Sequence, residues 1–304
     1  MQTGYNMSSD RKNTIIKKAY AKVNLGLDVI RRREDGYHEV RMIMQTVDIC
    51  DVLTFTRQER PGIVVTTDKE ELPGDESNLI YKAARLVTET YSVREGIKIE
   101  LQKRIPMAAG MAGGSTDAAA VFHGMNEMFE LGMDEDEMCA LGVKIGADIP
   151  YCIKGGTALA EGIGEILTKL PDAPACVVLV AKPDIDVSTK YVYENLHAES
   201  LEYHPDIDGM RAAIEEGDLR GMAERMGNVL ETVTVNAYPV IREIKEVMKK
   251  SGAWNALMSG SGPTVFGIFG EEEKARKAYN EIAQANLAGQ LFLTGWAGRN
   301  MRES

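Results

Sequence analysis

Pro106-Met107-Ala108-Ala109-Gly110-Met111-Ala112-Gly113-Gly114-Ser115-Thr116-Asp117-Ala118-Ala119-Ala120 is the stretch on which the reading of the whole chain turns. Its glycines and alanines keep side chains short where backbone can approach a ligand closely. After Gly114 the composition becomes helical: a helix is predicted over Ala118 to Met128, with Ser115 or Thr116 placed to cap it and Asp117 in its first turn, where negative charge is favoured. A glycine-rich loop entering a helix presents unpaired N–H groups and the positive end of the helix dipole, an arrangement suited to phosphate. Two widespread phosphate loops are excluded, because no Gly-Lys-Ser/Thr follows a four-residue gap and no G-x-G-x-x-G opens a βαβ unit. A flexible loop ahead of an alanine-rich core helix is the other reading of these residues alone.

Upstream, residues 15–30 read as strand, with alternation clearest from Ala21 to Val29. That alternation puts Lys22, Asn24, Gly26 and Asp28 on one face, opposite Val23, Leu25 and Leu27. Lys22 and Asn24 then either line a polar cleft or lie on a solvated surface. Asp35-Gly36 marks a turn, followed by Tyr37-His38. This is a charged hairpin tip, or else a flat ring beside a hydrogen-bonding imidazole, the pair that recognises a planar heterocycle. Further strands are expected over 41–56, 63–67 and 97–102, with a helix before the last of them. Ser77 or Asn78 would cap that helix, and Leu79, Ala83, Leu86 and Val87 would share its buried face.

Downstream, a helix is expected from Asp134 to Gly146, turning Met138, Leu141 and Ile145 inward. Asp148 follows, ahead of a proline that disfavours helical backbone before it, as a turn residue or a functional carboxylate. From Gly155 the pattern suggests a strand pair and a domain crossing near residue 159, giving domains 1–158 and 159–304. The second half carries a buried strand over Val177 to Ala181, a helix start at Ser188-Thr189, and several helices to Lys250. It ends with a second glycine-rich passage from Met258 to Gly267, a helix from Glu271 to Ala285, and a strand near Leu291 to Thr294. The glycine-rich passage is a plain hairpin turn or a loop whose backbone approaches a charged group.

The length of 304 residues fits about two domains, and 44% hydrophobic with 27% charged residues is ordinary for a globular protein. No run approaches the ~18 apolar residues of a membrane span. Met1 to Asn13 are polar with no apolar core, so no secretory signal is expected, Met7 is an alternative start, and a cytoplasmic protein is anticipated. Cys50, Cys139, Cys152 and Cys176 are widely spaced with no C-x-x-C pair, which points to reduced, buried thiols and away from zinc or a disulfide framework. A net charge of −11 argues against nucleic acid as a partner. Composition specifies no oligomeric state.

Lys22-Val23-Asn24-Leu25, the 106–120 stretch and Ser259-Gly260-Ser261-Gly262-Pro263-Thr264 occur in the order of the three motifs of the GHMP kinases, and the chain resembles that family over nearly its full length. Asp35-Gly36-Tyr37-His38 and Gly146-Ala147-Asp148-Ile149-Pro150 are most similar to the members that act on a cytidine diphosphate-linked methylerythritol. The resemblance implies an α+β, two-domain GHMP kinase fold with the active site in the cleft between domains. It also implies ATP-dependent phosphorylation of the 2-hydroxyl of that small-molecule substrate, a step of non-mevalonate isoprenoid precursor synthesis, with Mg²⁺ accompanying ATP. On the same resemblance Pro106 through Thr116 hold the ATP phosphates. Asp148 orients or deprotonates the attacking hydroxyl, and Lys22 stabilises that carboxylate and the charge at the reacting centre. Tyr37 and His38 match the cytidine-binding pair, Tyr193 is a second aromatic closing the stack, and Asn24 and Thr189 are further substrate contacts. No acidic residue is assigned to the metal.

Two other readings stand beside this one. A mevalonate- or homoserine-type kinase would have no reason to place Tyr37-His38 after the turn, and a non-catalytic ligand-binding relative would have none to keep both Lys22 and Asp148. The loop also departs from the family pattern, with Met111 in place of leucine and Ala108, Ala109 and Ala112 where glycine is usual. Ala112 therefore either avoids positive φ or accepts strain.

Overall fold

The computed structural model describes residues 12–298, so the polar start and the alternative start at Met7 lie outside the described residues. The chain opens with β1 (Thr14–Arg32) and β2 (His38–Gln58), which pair antiparallel along most of their lengths. Their connection closes as expected at Asp35-Gly36. Gly36 takes φ +87°, which favours glycine, and the Asp35 carboxylate accepts the Tyr37 N–H at 3.1 Å. Then come β3 (Ile63–Thr67), α1 (Leu79–Tyr91), β4 (Gly96–Gln102), α2 (Gly113–Phe129), α3 (Glu135–Gly142), α4 (Ile149–Lys154), β5 (Thr157–Glu161) and β6 (Ile166–Lys169). Asn78 rather than Ser77 caps α1, accepting from Ile80 N at 2.8 Å. The larger sheet has the path β3-β4-β2-β1, with β5 and then β6 added along the other end of β2. The helix layer packs on it so closely that a Cβ at Gly124 of α2 would stand 2.6 Å from the Phe55 ring.

The regular alternation expected along β1 is broken by register shifts between Tyr20 and Lys22 and between Asn24 and Gly26. A bulge inserts a residue and exchanges the faces beyond it. Val23 and Leu25 accordingly join one core cluster and Leu27 and Val29 the other. Lys22 and Asn24 keep a common face, but Gly26 leaves it: a Cβ there would lie 2.7 Å from Ile207 Cδ1. Leu27 takes the cleft-lining position instead.

The second half supplies β7 (Val177–Lys182), α5 (Thr189–Glu194), α6 (Ile207–Glu215), α7 (Leu219–Glu224), β8 (Gly227–Asn228), α8 (Glu231–Ala237), α9 (Val240–Lys250), β9 (Asn255–Met258), β10 (Val265–Phe269), α10 (Glu272–Gln284) and β11 (Gln290–Thr294). The smaller sheet runs β11-β7-β10-β9 with all neighbours antiparallel, while the short β8 pairs with β1 of the larger sheet. Ala21, Val23 and Ile43 of the larger sheet share a fully buried cluster with Val178, Val180, Phe266 and Ile268 of the smaller one. A division at residue 159 would cut β5. Because β5 and β6 belong to the larger sheet, the chain passes to the smaller one between Lys169 and Val177. Among the described residues no helix is long and apolar enough to cross a membrane. The four cysteines are free, and burial pushes the Cys139 thiol up to about 11 and the Cys176 thiol to about 12.

Candidate active site

A cleft of about 1210 Å³ lies between the two halves. The 106–115 loop forms part of its wall, and Tyr37, His38, Tyr193, Lys22 and Asp148 line the same cleft. The second half contributes α5 and the Gly260–Gly262 turn.

The loop is built by alternation. Ala108, Gly110 and Ala112 adopt φ of 48°, 69° and 55°, while the side chains of Ala109 and Met111 are buried in the core between the sheets. Anchoring every second residue and turning those between into the left-handed region directs successive N–H groups toward one concavity, as in anion-binding nests. Ala112 thus accepts the strain. Gly110 cannot carry a side chain, since its Cβ would meet the Ser259 carbonyl oxygen at 2.1 Å. Ser259 Oγ donates to the Gly110 carbonyl at 2.8 Å, so the second glycine-rich passage is both the β9–β10 hairpin turn and a brace for the loop. The backbone N–H of Lys22 ties the far side of the loop by donating to Met111 O at 3.2 Å.

The expected cap of α2 is corrected. The helix starts at Gly113 with Ala112 at the N-cap and no side-chain cap bond, so Ser115 and Thr116 lie within its first turn and Asp117 follows that turn. The Thr116 hydroxyl instead donates to the Tyr20 carbonyl at 2.8 Å, fastening α2 to β1. A start at residue 113 exposes the first N–H groups of α2 on the cleft wall beside the loop.

Lys22 is buried, and its Nζ donates to Asn24 Oδ1 at 2.9 Å and lies 3.6 Å from Asp148 Oδ2. Asp148 is at the N-cap of α4 in helical geometry, and Pro150 occupies the first turn of that helix, where its missing N–H costs nothing. The extended backbone expected ahead of the proline is absent for that reason. The Asp148 carboxylate makes no capping bond, leaving it turned to Lys22. α3 stops at Gly142, and turns over 143–146 carry the chain to Asp148, so the helix predicted to reach Gly146 is shorter.

Also lining the cleft, His38 and Tyr193 are in ring contact, with centroids 5.0 Å apart and planes inclined by 37°. Burial first, and then the Arg32 guanidinium, lower the His38 pKa below its ordinary value. Burial, with a smaller contribution from the Asp148 charge, raises that of Tyr193. Tyr37 stands at the rim with 59% of its surface exposed. Thr189 lines the cleft too, but its hydroxyl is 2.8 Å from Ser261 Oγ, linking α5 to the hairpin turn. Ser188 caps α5 through Tyr191 N at 3.3 Å. Every site residue expected from the sequence lines this cleft except Thr116, which is buried beneath the loop. Sequence reasoning missed Lys103 and Asp117 on the same wall and their buried partner Asp51, because an ion cluster assembled from three separate elements leaves no local pattern. Among the described residues no group of three or more His, Cys, Asp or Glu side chains is placed to hold a metal ion.

The family models for the GHMP kinases N terminal domain and the GHMP kinases C terminal match residues 78–156 and 210–288. The chain belongs to the GHMP kinase family and is a small-molecule kinase. Its curated relatives include 4-diphosphocytidyl-2-C-methyl-D-erythritol kinases. That of Caldicellulosiruptor saccharolyticus is 52% identical over 88% of this chain and 92% of its own length, and that of Lachnospira eligens 54% identical over 91% and 96%. A crystal structure of 4-(cytidine 5'-diphospho)-2C-methyl-D-erythritol kinase superposes with a TM-score of 0.80 at 31% identity, covering 93% of this chain and 100% of that one. A homoserine kinase structure from Cytophaga hutchinsonii, at 22% identity and a TM-score of 0.77 over 95% of this chain and 96% of its own, shares the fold.

Proposed function

We propose that this kinase transfers the γ-phosphoryl group of ATP to the 2-hydroxyl of 4-diphosphocytidyl-2-C-methyl-D-erythritol, in the cytoplasm, as a step of non-mevalonate isoprenoid precursor synthesis. The observation that carries the reading is the placement of Lys22 Nζ 3.6 Å from Asp148 Oδ2 in a cleft lined by both a phosphate-type loop and the His38–Tyr193 ring pair. The relatives named for this activity, at about half identity along nearly their whole length, support the same substrate.

Phosphoryl transfer runs through a loose transition state, so the protein's tasks are to align the two oxygens and to stabilise negative charge. The N–H groups of the loop after Pro106 and of the start of α2, through Ser115, hold the phosphates. Asp148 accepts the hydroxyl proton or fixes the hydroxyl in line, and the Lys22 ammonium keeps Asp148 ionised while facing the developing charge. Asn24 holds that ammonium in place through its 2.9 Å bond and meets the substrate from the same face. The cytosine ring lies against Tyr37 and the His38–Tyr193 pair, with the His38 edge supplying hydrogen bonds and Thr189 alongside.

A magnesium ion would be held chiefly by nucleotide phosphates and water, and the Ser115 hydroxyl on the loop wall would offer it a neutral oxygen. When bound, the ion neutralises phosphate charge. A mevalonate- or homoserine-type activity finds no counterpart for the ring pair. The test is ADP release with the cytidine substrate, mevalonate, homoserine and galactose in parallel. Turnover confined to the first is expected, and preference for another would reject the assignment.

A further inference from the structure

Asp51, Lys103 and Asp117 form a buried cluster behind the loop, with exposures of 0%, 7% and 3%. Lys103, which follows β4, donates through Nζ to Asp51 Oδ2 at 2.5 Å and to Asp117 Oδ2 at 2.7 Å. The other oxygen of Asp51 accepts the backbone N–H groups of Arg104 and Ile105, at 2.5 Å and 2.8 Å. Residues 103–105 lead into the loop and Asp117 lies in the helix that leaves it, so one ammonium spans its two ends. The packing is close, since a Cβ at Gly113 would stand 3.0 Å from Lys103 Nζ.

Such a cluster has an energetic cost. Two carboxylates and one ammonium leave surplus negative charge out of water, and Asp117 Oδ1 is buried with no hydrogen-bond partner. Burial accordingly pushes the Asp117 pKa well up, against the pull of Lys103. An apolar trio of similar volume would fill the space at less cost, so stability alone does not account for the arrangement. What the charges add is direction. Each bond fixes one end of the loop, and the two left-handed alanines hold their shape only while those ends are fixed.

We propose that Asp51, Lys103 and Asp117 are positioning residues that fix the separation of the two ends of the 106–116 loop and thereby set its affinity for nucleotide. This rests on reading that loop as the ATP site. Asp51 is the discriminating member, because it is fully buried and absent from the cleft lining, so its effect on nucleotide must travel through Lys103 and the loop. Asp51→Asn keeps the acceptor for Arg104 and Ile105 but turns an amide donor toward Lys103. Asp117→Leu releases the helix end and leaves Lys103 and Asp51 charge-balanced.

The experiment measures the ADP dissociation constant by calorimetry, both Michaelis constants, kcat and Tm for wild type, Asp51→Asn, Asp117→Leu and Gly113→Val. Weaker ADP binding and a higher ATP KM are expected for the first two variants by on the order of ten-fold, the range of one charge-assisted hydrogen bond. The KM of the phosphoryl acceptor should stay within about two-fold. Should Asp51→Asn fail to fold, Asp117→Leu decides. Unchanged nucleotide affinity in a folded variant overturns the proposal, as does a parallel loss in both Michaelis constants and kcat that follows Tm. If Gly113→Val weakens ATP while the cluster variants do not, the positioning role alone fails. If Gly113→Val also leaves ATP kinetics unchanged, the ATP site itself is misplaced.

Discussion

Ala112 offers the most quantitative test of the loop. It holds φ 55° and ψ 30° at the N-cap of α2, a conformation that costs an L-residue roughly 1–2 kcal/mol. It makes no side-chain cap bond, and its carbonyl accepts Thr116 N at 2.9 Å through backbone alone. Ala112→Gly therefore removes the penalty without removing a bond. The extra freedom of glycine in the unfolded chain offsets about 0.4–1 kcal/mol of the gain. The net expectation is a stabilisation of roughly 0.8 kcal/mol, within a span of about 0–1.6 kcal/mol. Because 1 kcal/mol moves Tm by about 2–4 °C in domains of 150–250 residues, a rise of ~1–4 °C should be seen. The ATP KM should stay within about two-fold, since the N–H groups keep their places. Ala112→Val is the opposite perturbation. A β-branched residue at this φ is an outlier, so Tm should fall and the ATP KM should rise as the loop leaves its shape. Thermal unfolding and initial rates on the three proteins suffice. A lower Tm for Ala112→Gly, or wild-type ATP kinetics for Ala112→Val, would mean that residue 112 does not hold the left-handed backbone.

Asp148→Asn should keep ADP binding by calorimetry yet lose turnover by ~10²- to 10⁴-fold, as expected for a positioned base; a variant within a few-fold of wild type would reduce Asp148 to a turn residue. Tyr37→Ala should raise the KM of the cytidine substrate by roughly 5- to 150-fold, the equivalent of a base–aromatic contact, whereas Tyr37→Phe should be nearly silent; equal behaviour of the two would remove the ring from the account. Because burial and Arg32 lower the His38 pKa, its imidazole stays neutral to lower pH than an ordinary histidine, and its contribution to stability is complete above the ordinary value of 6.5 and is lost as pH falls through the folded pKa. The substrate KM should then rise on acidification with a midpoint below 6.5, in a step that His38→Gln abolishes. A midpoint at or above 6.5 would contradict the lowered pKa.

Much of this site was legible because its parts are local. A glycine-rich loop before a helix, a turn at Asp35-Gly36 followed by an aromatic and an imidazole, and an aspartate just past a helix end and ahead of a proline each carry their chemistry within a few residues. The details that went astray depend on distant partners. Bulges in β1 are set by its pairing with β2, so simple alternation put Gly26 on the wrong face. The α2 start moved to Gly113 because the buried Met111 and the Thr116–Tyr20 bond hold the first turn, which no cap signal reports. α3 ends at Gly142 rather than Gly146, and the backbone expected to be extended ahead of Pro150 instead begins α4 at Ile149, with Asp148 at its N-cap facing Lys22. The Asp51–Lys103–Asp117 cluster joins residues 14 to 66 positions apart and reads as ordinary charges until the fold closes around them.

The central claim is that this cleft directs the γ-phosphoryl of ATP onto one hydroxyl of a cytidine diphosphate-linked acceptor. Phosphorus and carbon NMR of the product formed from ATP and 4-diphosphocytidyl-2-C-methyl-D-erythritol tests it most directly. A new phosphomonoester is expected whose phosphorus couples to the quaternary carbon 2 of the methylerythritol, formed by wild type and not by Asp148→Asn at matched times. A phosphomonoester on another carbon, or its absence while one of the other alcohols is phosphorylated, would contradict it.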